Sequence, residues 1–405
     1  MARTPEAAHA ARGGALDVLV VEPVGGHGGM DFYDAGLCGG LRDAGLNVAL
    51  ATSQWDRDVE GYEVWTTFGG VFGDQAALWR AGLWVRALLR SLRRARQRGA
   101  RVCHLHFFQA TLLQWMTLSL TRRMGFQTVV TAHDVETFSG DRERWAPRIY
   151  ALADRVIAHN AVARDEVVRV LQVPAERVRV VPHGHYLDAL PSELPTHVQA
   201  RHRLGISPEA PTVLFFGQIK PVKGLDVLLQ AWPEVRRQIP NAQLVVAGRP
   251  WRDDPSTYTA LIDALDIGDS VLFRSGYIPN DEVPDYYAAC DVVALPYHRI
   301  YQSGVLLMAM SYQRAVVASD LPAMREVLRD GEHGRLTPAG DASALAAVLC
   351  DLLGDSARTQ AMGTAGHAHV ATHHDWRAVG EQTARIYREV AGTPVSQSVT
   401  EYAPS

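Results

Sequence analysis

The sequence predicts an α/β protein built as two similar domains, each a parallel sheet wrapped by helices, and three observations carry that prediction. Short β-branched runs alternate with stretches of helical periodicity. The alternation breaks at a Pro-, Ser- and His-containing stretch, 190–211, and then restarts. The composition, 47% apolar and 21% charged over 405 residues, is that of a soluble chain long enough for two or three sizeable cores.

In the first half, strands are predicted at 17–22, 47–52, 101–106, 127–131 and 178–181, with helices at 31–44 and 112–124. In the second half, strands are predicted at 212–216, 243–247, 271–273, 291–295 and 315–319, and a last helix at 376–390. Parallel neighbours need a long crossover, usually a helix, so this rhythm reads as parallel sheets. The predicted organisation is a loose tail over 1–15, a first domain over 16–190, a linker over 191–210, a second domain over 211–375, a terminal helix over 376–391 and a disordered tail over 392–405. Open parallel sheets bind ligands beyond the carboxyl ends of their strands. Two such domains facing each other place their loops around one central cleft.

A net charge of -4 argues against a nucleic-acid partner held by bulk electrostatics. Cys38, Cys103, Cys290 and Cys350 are far apart and in no metal spacing, so they read as reduced core residues, which suits the cytoplasm. Residues 1–15 hold no apolar run that would serve as a signal-peptide core. The weakly polar stretch 110–120 is too short for a bilayer span of roughly 20 residues. No transmembrane helix is expected.

Of 40 basic side chains only Lys220 and Lys223 are lysines, and they sit together at one strand-to-helix turn. A compact ammonium there follows moving phosphate oxygens in a way that the planar arginine fork does not. Their charges add to the positive end of the helix that follows Gly224. A chance pair of surface lysines is the alternative. Gly25, Gly26, Gly28 and Gly29 follow the first strand and lead into a helix, where backbone N–H groups would receive a phosphate. The dinucleotide fingerprint is incomplete, because Asp31 stands where Gly or Ala is needed and no acid closes the second strand. A plain glycine turn therefore stays open.

His133 and Asp134 end a strand at the same edge, either aimed at the cleft or joined in a local turn. His104 and His106 point one way along a buried strand and read as core or supporting groups. No metal is expected, since no histidine grouping has ligand spacing. Ser303 and Gly304 open another helix, as a cap and a close backbone approach. The stretch 79–98 interleaves Trp79, Leu83, Trp84, Leu88 and Leu92 with arginines. It is either a domain helix with a solvated basic side or a peripheral contact with an anionic membrane.

One series of motifs is recognisable in order: Phe216-Gly217 with Lys223-Gly224, then 244–248, Gly276-Tyr277-Ile278-Pro279, 289–292, and Ala309-Met310 leading into 315–319. Over residues 17–391 the chain resembles the family 4 glycosyltransferases, whose GT-B fold is two Rossmann-like domains with parallel sheets facing a central cleft. The resemblance makes the first domain the acceptor side, the second the nucleotide-sugar side, and 376–391 a helix crossing back to the first. It implies a metal-independent hexosyltransferase that moves a sugar from a UDP- or GDP-linked donor to a glycan, a lipid-linked sugar or a natural product. No cofactor is implied, the nucleotide sugar being a co-substrate. Lys223 would meet the diphosphate, with Gly28, Gly29, Ser303, Gly304 and Val305 as further donors. Tyr277 and Ile278 would lie beside the base, and His133 near the transferred sugar.

Two departures from the family pattern stand out. Gln218 occupies a usual arginine position, and Lys220 is expected to supply the lost charge. Ile300 and Met308 replace two glutamates, the second of which usually binds ribose. Either Gln302 or Ser303 holds the ribose instead, or the protein is a non-catalytic nucleotide-sugar binder or partner subunit of another transferase. An epimerase acting on the donor alone is disfavoured by the same missing acids.

Overall fold

A computed structural model describes residues 14–26, 29–72, 75–133, 145–251 and 254–392. The chain forms two compact units, one of residues up to His183 together with those from Trp376 on, the other Gly184–Asp375.

In the first unit the described strands are β1 (Val18–Val21), β2 (Val48–Ala51), β3 (Glu63–Trp65), β4 (Val102–Phe107), β5 (Gln127–Ala132), β6 (Arg155–Ala158) and β7 (Val178–Val180). They stand in the order β3-β2-β1-β4-β5-β6-β7, every pair parallel. The central strands are buried along their length, so β1 and β2 are written in Val, Leu and Ala alone, whereas β4 alternates His104 and His106 with apolar residues. Helices α1 (Met30–Asp43), α2 (Ala77–Gln97), α3 (Leu112–Arg123), α4 (Ala146–Leu152) and α5 (Ala161–Leu171) fill the crossovers.

In the second unit α6 (His197–Leu204) precedes a sheet of β8 (Thr212–Phe216), β9 (Gln243–Gly248), β10 (Val271–Ser275), β11 (Val292–Leu295), β12 (Ala315–Ser319) and β13 (Gly334–Thr337). Its order is β10-β9-β8-β11-β12-β13, again all parallel. The helices are α7 (Leu225–Gln238), α8 (Pro255–Ala264), α9 (Val283–Ala289), α10 (Gly304–Ser311), α11 (Pro322–Arg325), α12 (Ala342–Gly354) and α13 (Ser356–His373). Trp232 of α7 is fully buried in this core and donates its indole N–H to Ser270 Oγ at 3.0 Å.

Residues 191–210, expected as a linker, contain α6, which is built into the second unit. Arg201 of α6 is 3% exposed and donates to the Ala289 carbonyl and, at 2.8 Å, to Asp291. Asp291 in turn accepts from the Thr212 N–H at 2.7 Å, so one buried ion pair ties α6 to the start of β8. The short edge strands β3 and β13, and β6, were not predicted; three or four residues flanked by polar groups form strands only because a neighbour supplies the ladder.

The last helix, α14 (Trp376–Ala391), belongs to the first unit. It buries Trp376, Val379, Gly380, Thr383, Ala384 and Tyr387, one face at helical spacing. Its partner α1 carries Gly36 and Gly40 at the crossing. A Cβ on Gly40 would collide with the Trp376 carbonyl, and one on Gly380 with the Gly40 backbone, so the helices touch backbone to backbone.

Candidate functional site

In the second unit the turn after β8 is held from several sides. Gly217 adopts φ +96°, and its N–H bonds the Ala247 carbonyl at 2.9 Å. Gly248 at the end of β9 packs so closely on the Gly217 backbone that no side chain fits there. Buried Ile219 bridges to Pro250, and a 3₁₀ turn, Pro221–Lys223, leads to Gly224 at φ +65° before α7. A Cβ on Gly224 would meet the Pro296 carbonyl, which is why this position of the motif is glycine.

This frame places the Lys223 ammonium 3.5 Å from where a Cβ on Gly217 would stand and 5.6 Å from the Tyr297 ring centre. Among the described residues Lys223 has no carboxylate partner. Burial, with the charge of Lys220 as second cause, pulls its pKa down to about 7. Lys220 is half-buried, with its ammonium 5.6 Å from the Trp251 ring centre. Gln218 is exposed.

The start of α10 closes on the same point. Val305 Cγ2 lies 3.2 Å from the position a Gly217 Cβ would take. Ser303 is the N-cap, its Oγ accepting from the Leu306 N–H at 3.2 Å, which leaves the Gly304 and Val305 N–H groups at the positive helix end. Gly304 is close to the Tyr186 hydroxyl, 2.7 Å from a Cβ there, a neighbour that the sequence order hides. Gly217, Lys223, Gly304 and Val305 are thus brought together, a cradle of N–H groups and one ammonium suited to a diphosphate. The Gly276 N–H bonds the Gly248 carbonyl at 3.0 Å and sets Tyr277 and Ile278 along the same edge, Tyr277 being 57% exposed. Ile300 and Met308 are half-buried and offer no carboxylate.

The first unit has a different edge. Gly29 caps α1 at φ +82°, while Gly28 lies outside the described residues. The turn before it is tied by the Glu22 carboxylate, which accepts from the Val24 and Gly25 N–H groups at 2.9 and 2.7 Å. Glu22 and Asp34 are both fully buried, and burial raises the Glu22 pKa to about 7 and that of Asp34 well above the usual range, with Glu22's charge adding to the shift of Asp34. Asp34 is thereby held protonated beside the Glu22 carboxylate. That lowers the negative charge under the glycine turn, an arrangement no local spacing announces.

His133 follows β5 and is half-buried. Its Nε2 is 2.9 Å from His106 Nδ1, its ring stacks on Phe108 at 4.6 Å and 11°, and Tyr33 meets it edge-on at 5.0 Å. His104 is locked by Tyr387 Oη on Nδ1 at 2.6 Å and Thr131 Oγ1 on Nε2 at 2.7 Å. His159 and His183 extend the row, with ring centres 5.3 Å from His133 to His159 and 5.5 Å from His159 to His183. Burial lowers His104 to about 3 and His159 to about 4, and drives His106 and His133 well below the usual histidine range. These are neutral imidazoles that give or take hydrogen bonds and carry no charge at neutral pH. Among the described residues no His, Cys, Asp and Glu group is arranged to hold a metal ion.

The sequence profile described as Glycosyltransferase Family 4 matches residues 27–188, and the profile Glycosyl transferases group 1 matches 210–355. A D-inositol 3-phosphate glycosyltransferase of Kineococcus radiotolerans is 30% identical over 311 residues, 70% of each chain. The alpha-D-kanosaminyltransferase of Streptomyces kanamyceticus is 29% identical over 82% of this chain and 86% of its own. Among solved structures, a sucrose-phosphate synthase of Thermosynechococcus elongatus superposes with a TM-score of 0.73 at 22% identity, covering 93% of this chain and 99% of that one. Anabaena HepE in complex with UDP and glucose gives 0.72 at 18% identity over 92% of this chain and 100% of its own. Two parallel-sheet units, matched in turn by two halves of one family and by its folds, leave one assignment: the chain belongs to the family 4 glycosyltransferases and has their GT-B fold.

Proposed function

We propose that this glycosyltransferase takes its sugar from a nucleoside-diphosphate sugar held by the second unit, without a metal, and passes it to a small polyhydroxylated or lipid-linked acceptor. The observation that carries the reading is the meeting of the Gly217 turn, the Lys223 ammonium and the first N–H groups of α10. When the glycosidic C–O bond breaks, its electron pair passes to a diphosphate oxygen. The ammonium and the α10 helix end are preorganised for that charge. The acceptor oxygen then bonds the anomeric carbon, and its proton passes to the departing diphosphate oxygen that took the electron pair. We assign His133 to the transferred sugar, Tyr277 and Ile278 to the base, and Gly28 and Gly29 to the phosphates, as the family resemblance implies. Two relatives' names, with inositol 3-phosphate and a phosphatidylinositol mannoside in them, support the acceptor class.

A panel of nucleoside diphosphates and nucleotide sugars in a thermal-shift assay, followed by coupled detection of released diphosphate with chelator present, tests this. Lys223→Ala is expected to cost on the order of 100-fold in turnover with the fold intact, as loss of one preorganised donor does elsewhere. Lys220→Ala is expected to cost nearly as much if it replaces the arginine absent at Gln218; a near-silent variant returns it to the surface. Ile300 and Met308, lacking carboxylates, support a second reading of donor binding without transfer. Saturable donor binding with no release across the acceptor panel would select it.

No described helix is long and apolar enough to cross a membrane. A peripheral site at the inner face of the membrane in a cytoplasmic setting is supported by the first residues of two adjacent helices. Leu78 and Trp79 of α2 are 89% and 61% exposed, and Leu112 and Met116 of α3 are 47% and 45% exposed. The outer groove of α2 is lined by Arg86, Arg90, Arg93 and Arg94. Apolar insertion beside clustered arginines suits anionic lipid. Sedimentation with phosphatidylglycerol vesicles, absent with phosphatidylcholine and lost in Trp79→Ala with Leu78→Ala, is the expected result.

A further inference from the structure

His106 and His133 form a pair whose protons are fixed by what surrounds them. His106 is 3% exposed and its Nδ1 lies 2.9 Å from His133 Nε2, while its own Nε2 is buried with no partner among the described residues. One of the two nitrogens in the contact must carry a hydrogen and the other must not. A neutral imidazole has a single N–H. If His106 carried it on Nε2, that N–H would be a buried donor with no acceptor, an arrangement rarer in proteins than an unused lone pair. The proton of His106 therefore sits on Nδ1 and is donated to His133.

His104 does not compete for it. Both of its nitrogens are already engaged, by Tyr387 and by Thr131. Neither His106 nor His133 has a carboxylate partner among the described residues, and the rings facing them are Tyr33, Phe108, His104 and His159, with His183 next to His159. Phe108 stacks flat against one side of His133, and Tyr33 meets the ring edge-on. With Nε2 occupied as an acceptor, the proton of His133 is confined to Nδ1.

We propose that His106 is a positioning residue: its Nδ1–H holds His133 as the neutral tautomer protonated on Nδ1, so that His133 presents one fixed N–H donor to an oxygen of the transferred sugar. This rests on the reading above that places His133 beside that sugar. The two carboxyl-end histidines of β4 then divide their work. His104 braces the strand against α14, and His106 sets the direction of a donor.

The experiment is a long-range ¹⁵N–¹H spectrum of the full chain labelled at its histidines, with His133 assigned by the resonances lost in His133→Gln. The expected result is His133 protonated on Nδ1 and bare on Nε2. A wild-type His133 protonated on Nε2 overturns the proposal. His106→Asn, whose amide N–H falls near the place of Nδ1, should keep the tautomer. His106→Leu should move the proton to Nε2 and lower kcat/KM by about tenfold or more, a typical loss when a catalytic imidazole is wrongly protonated. A folded His106→Leu with an unchanged His133 tautomer also overturns it. Should His106→Leu fail to fold, the wild-type and His106→Asn spectra decide alone. If His133→Gln leaves transfer intact while the tautomer is as expected, the error lies in the sugar contact and not in the pairing.

Discussion

At the carboxyl ends of its strands the first unit presents a row of neutral imidazoles, and the second presents an ammonium framed by helix N–H groups. Both edges come from the same parallel architecture, and burial shifts both in the same direction, yet with different consequences. His104, His106, His133 and His159 are held below their usual value because charging a buried ring is costly. Lys223 is held down to about 7 for the same reason, but there the charged form is the one a diphosphate needs. One edge offers uncharged hydrogen-bonding groups; the other holds an amine that a bound anion would return to its charged form.

The largest expected effect comes from acid. The four imidazoles are depressed in the folded state and ordinary, near 6.5, when unfolded, so both states are neutral above that value. As pH falls below it only the unfolded chain takes up protons, and stability is lost until the folded values are reached. At pH 5 the loss is about 2 kcal/mol each for His104 and His159, whose folded values are about 3 and 4, and His106 and His133 add to it in the same direction. Hydrogen exchange at pH 7.5 and 5 separates the units: β4, β5 and β6 should lose protection well before β8 and β9. His369 in the second unit, lowered to about 4 mainly by burial, adds a smaller loss there. Equal protection of both sheets at pH 5 would break the comparison.

A smaller effect is expected from His104→Leu, which strands the Tyr387 and Thr131 hydroxyls in the core. With about 1–3 kcal/mol for each of the two unsatisfied groups, the first unit should lose roughly 2–6 kcal/mol in a urea titration. Retention of full stability would show that the hydroxyls find other partners. The smallest effect sharpens the other side of the comparison. Diphosphate binding should draw a proton onto Lys223, so affinity weakens as pH rises above about 7, by at most about tenfold per pH unit. Calorimetry at pH 8 in buffers of different ionisation enthalpy reads the uptake directly. Lys223→Arg should abolish it, and uptake unchanged in that variant would place the titrating group elsewhere.

Much of this was legible in the sequence wherever one local rule decided the outcome. The buried β-branched runs of β1, β4, β8, β9 and β12 announced themselves, and so did the Gly217 and Gly224 turns around Lys223. What depends on register did not. His106 stands beside Thr131 in the β4–β5 ladder, which brings His133, two residues on, within reach of it. No spacing within either strand carries that pairing. Gly248 packing on Gly217, Tyr186 reaching Gly304 and Arg201 reaching Asp291 likewise join segments distant in sequence. The protonated Asp34 beside Glu22 was hidden for a different reason, since its charge state is set by burial, which only the folded sheet creates.

The backbone contact between Gly40 of α1 and Gly380 of α14 also bears on how the chain is made. The face of α1 that receives Trp376 is synthesised early, whereas its cover leaves the ribosome only after the whole second unit has been translated. During that interval a glycine-lined apolar groove on the nascent first unit stands open to chaperones or to wrong partners. Completion of the first domain is therefore a late event of synthesis, set by the arrival of α14 and not by the order in which the sheets are translated.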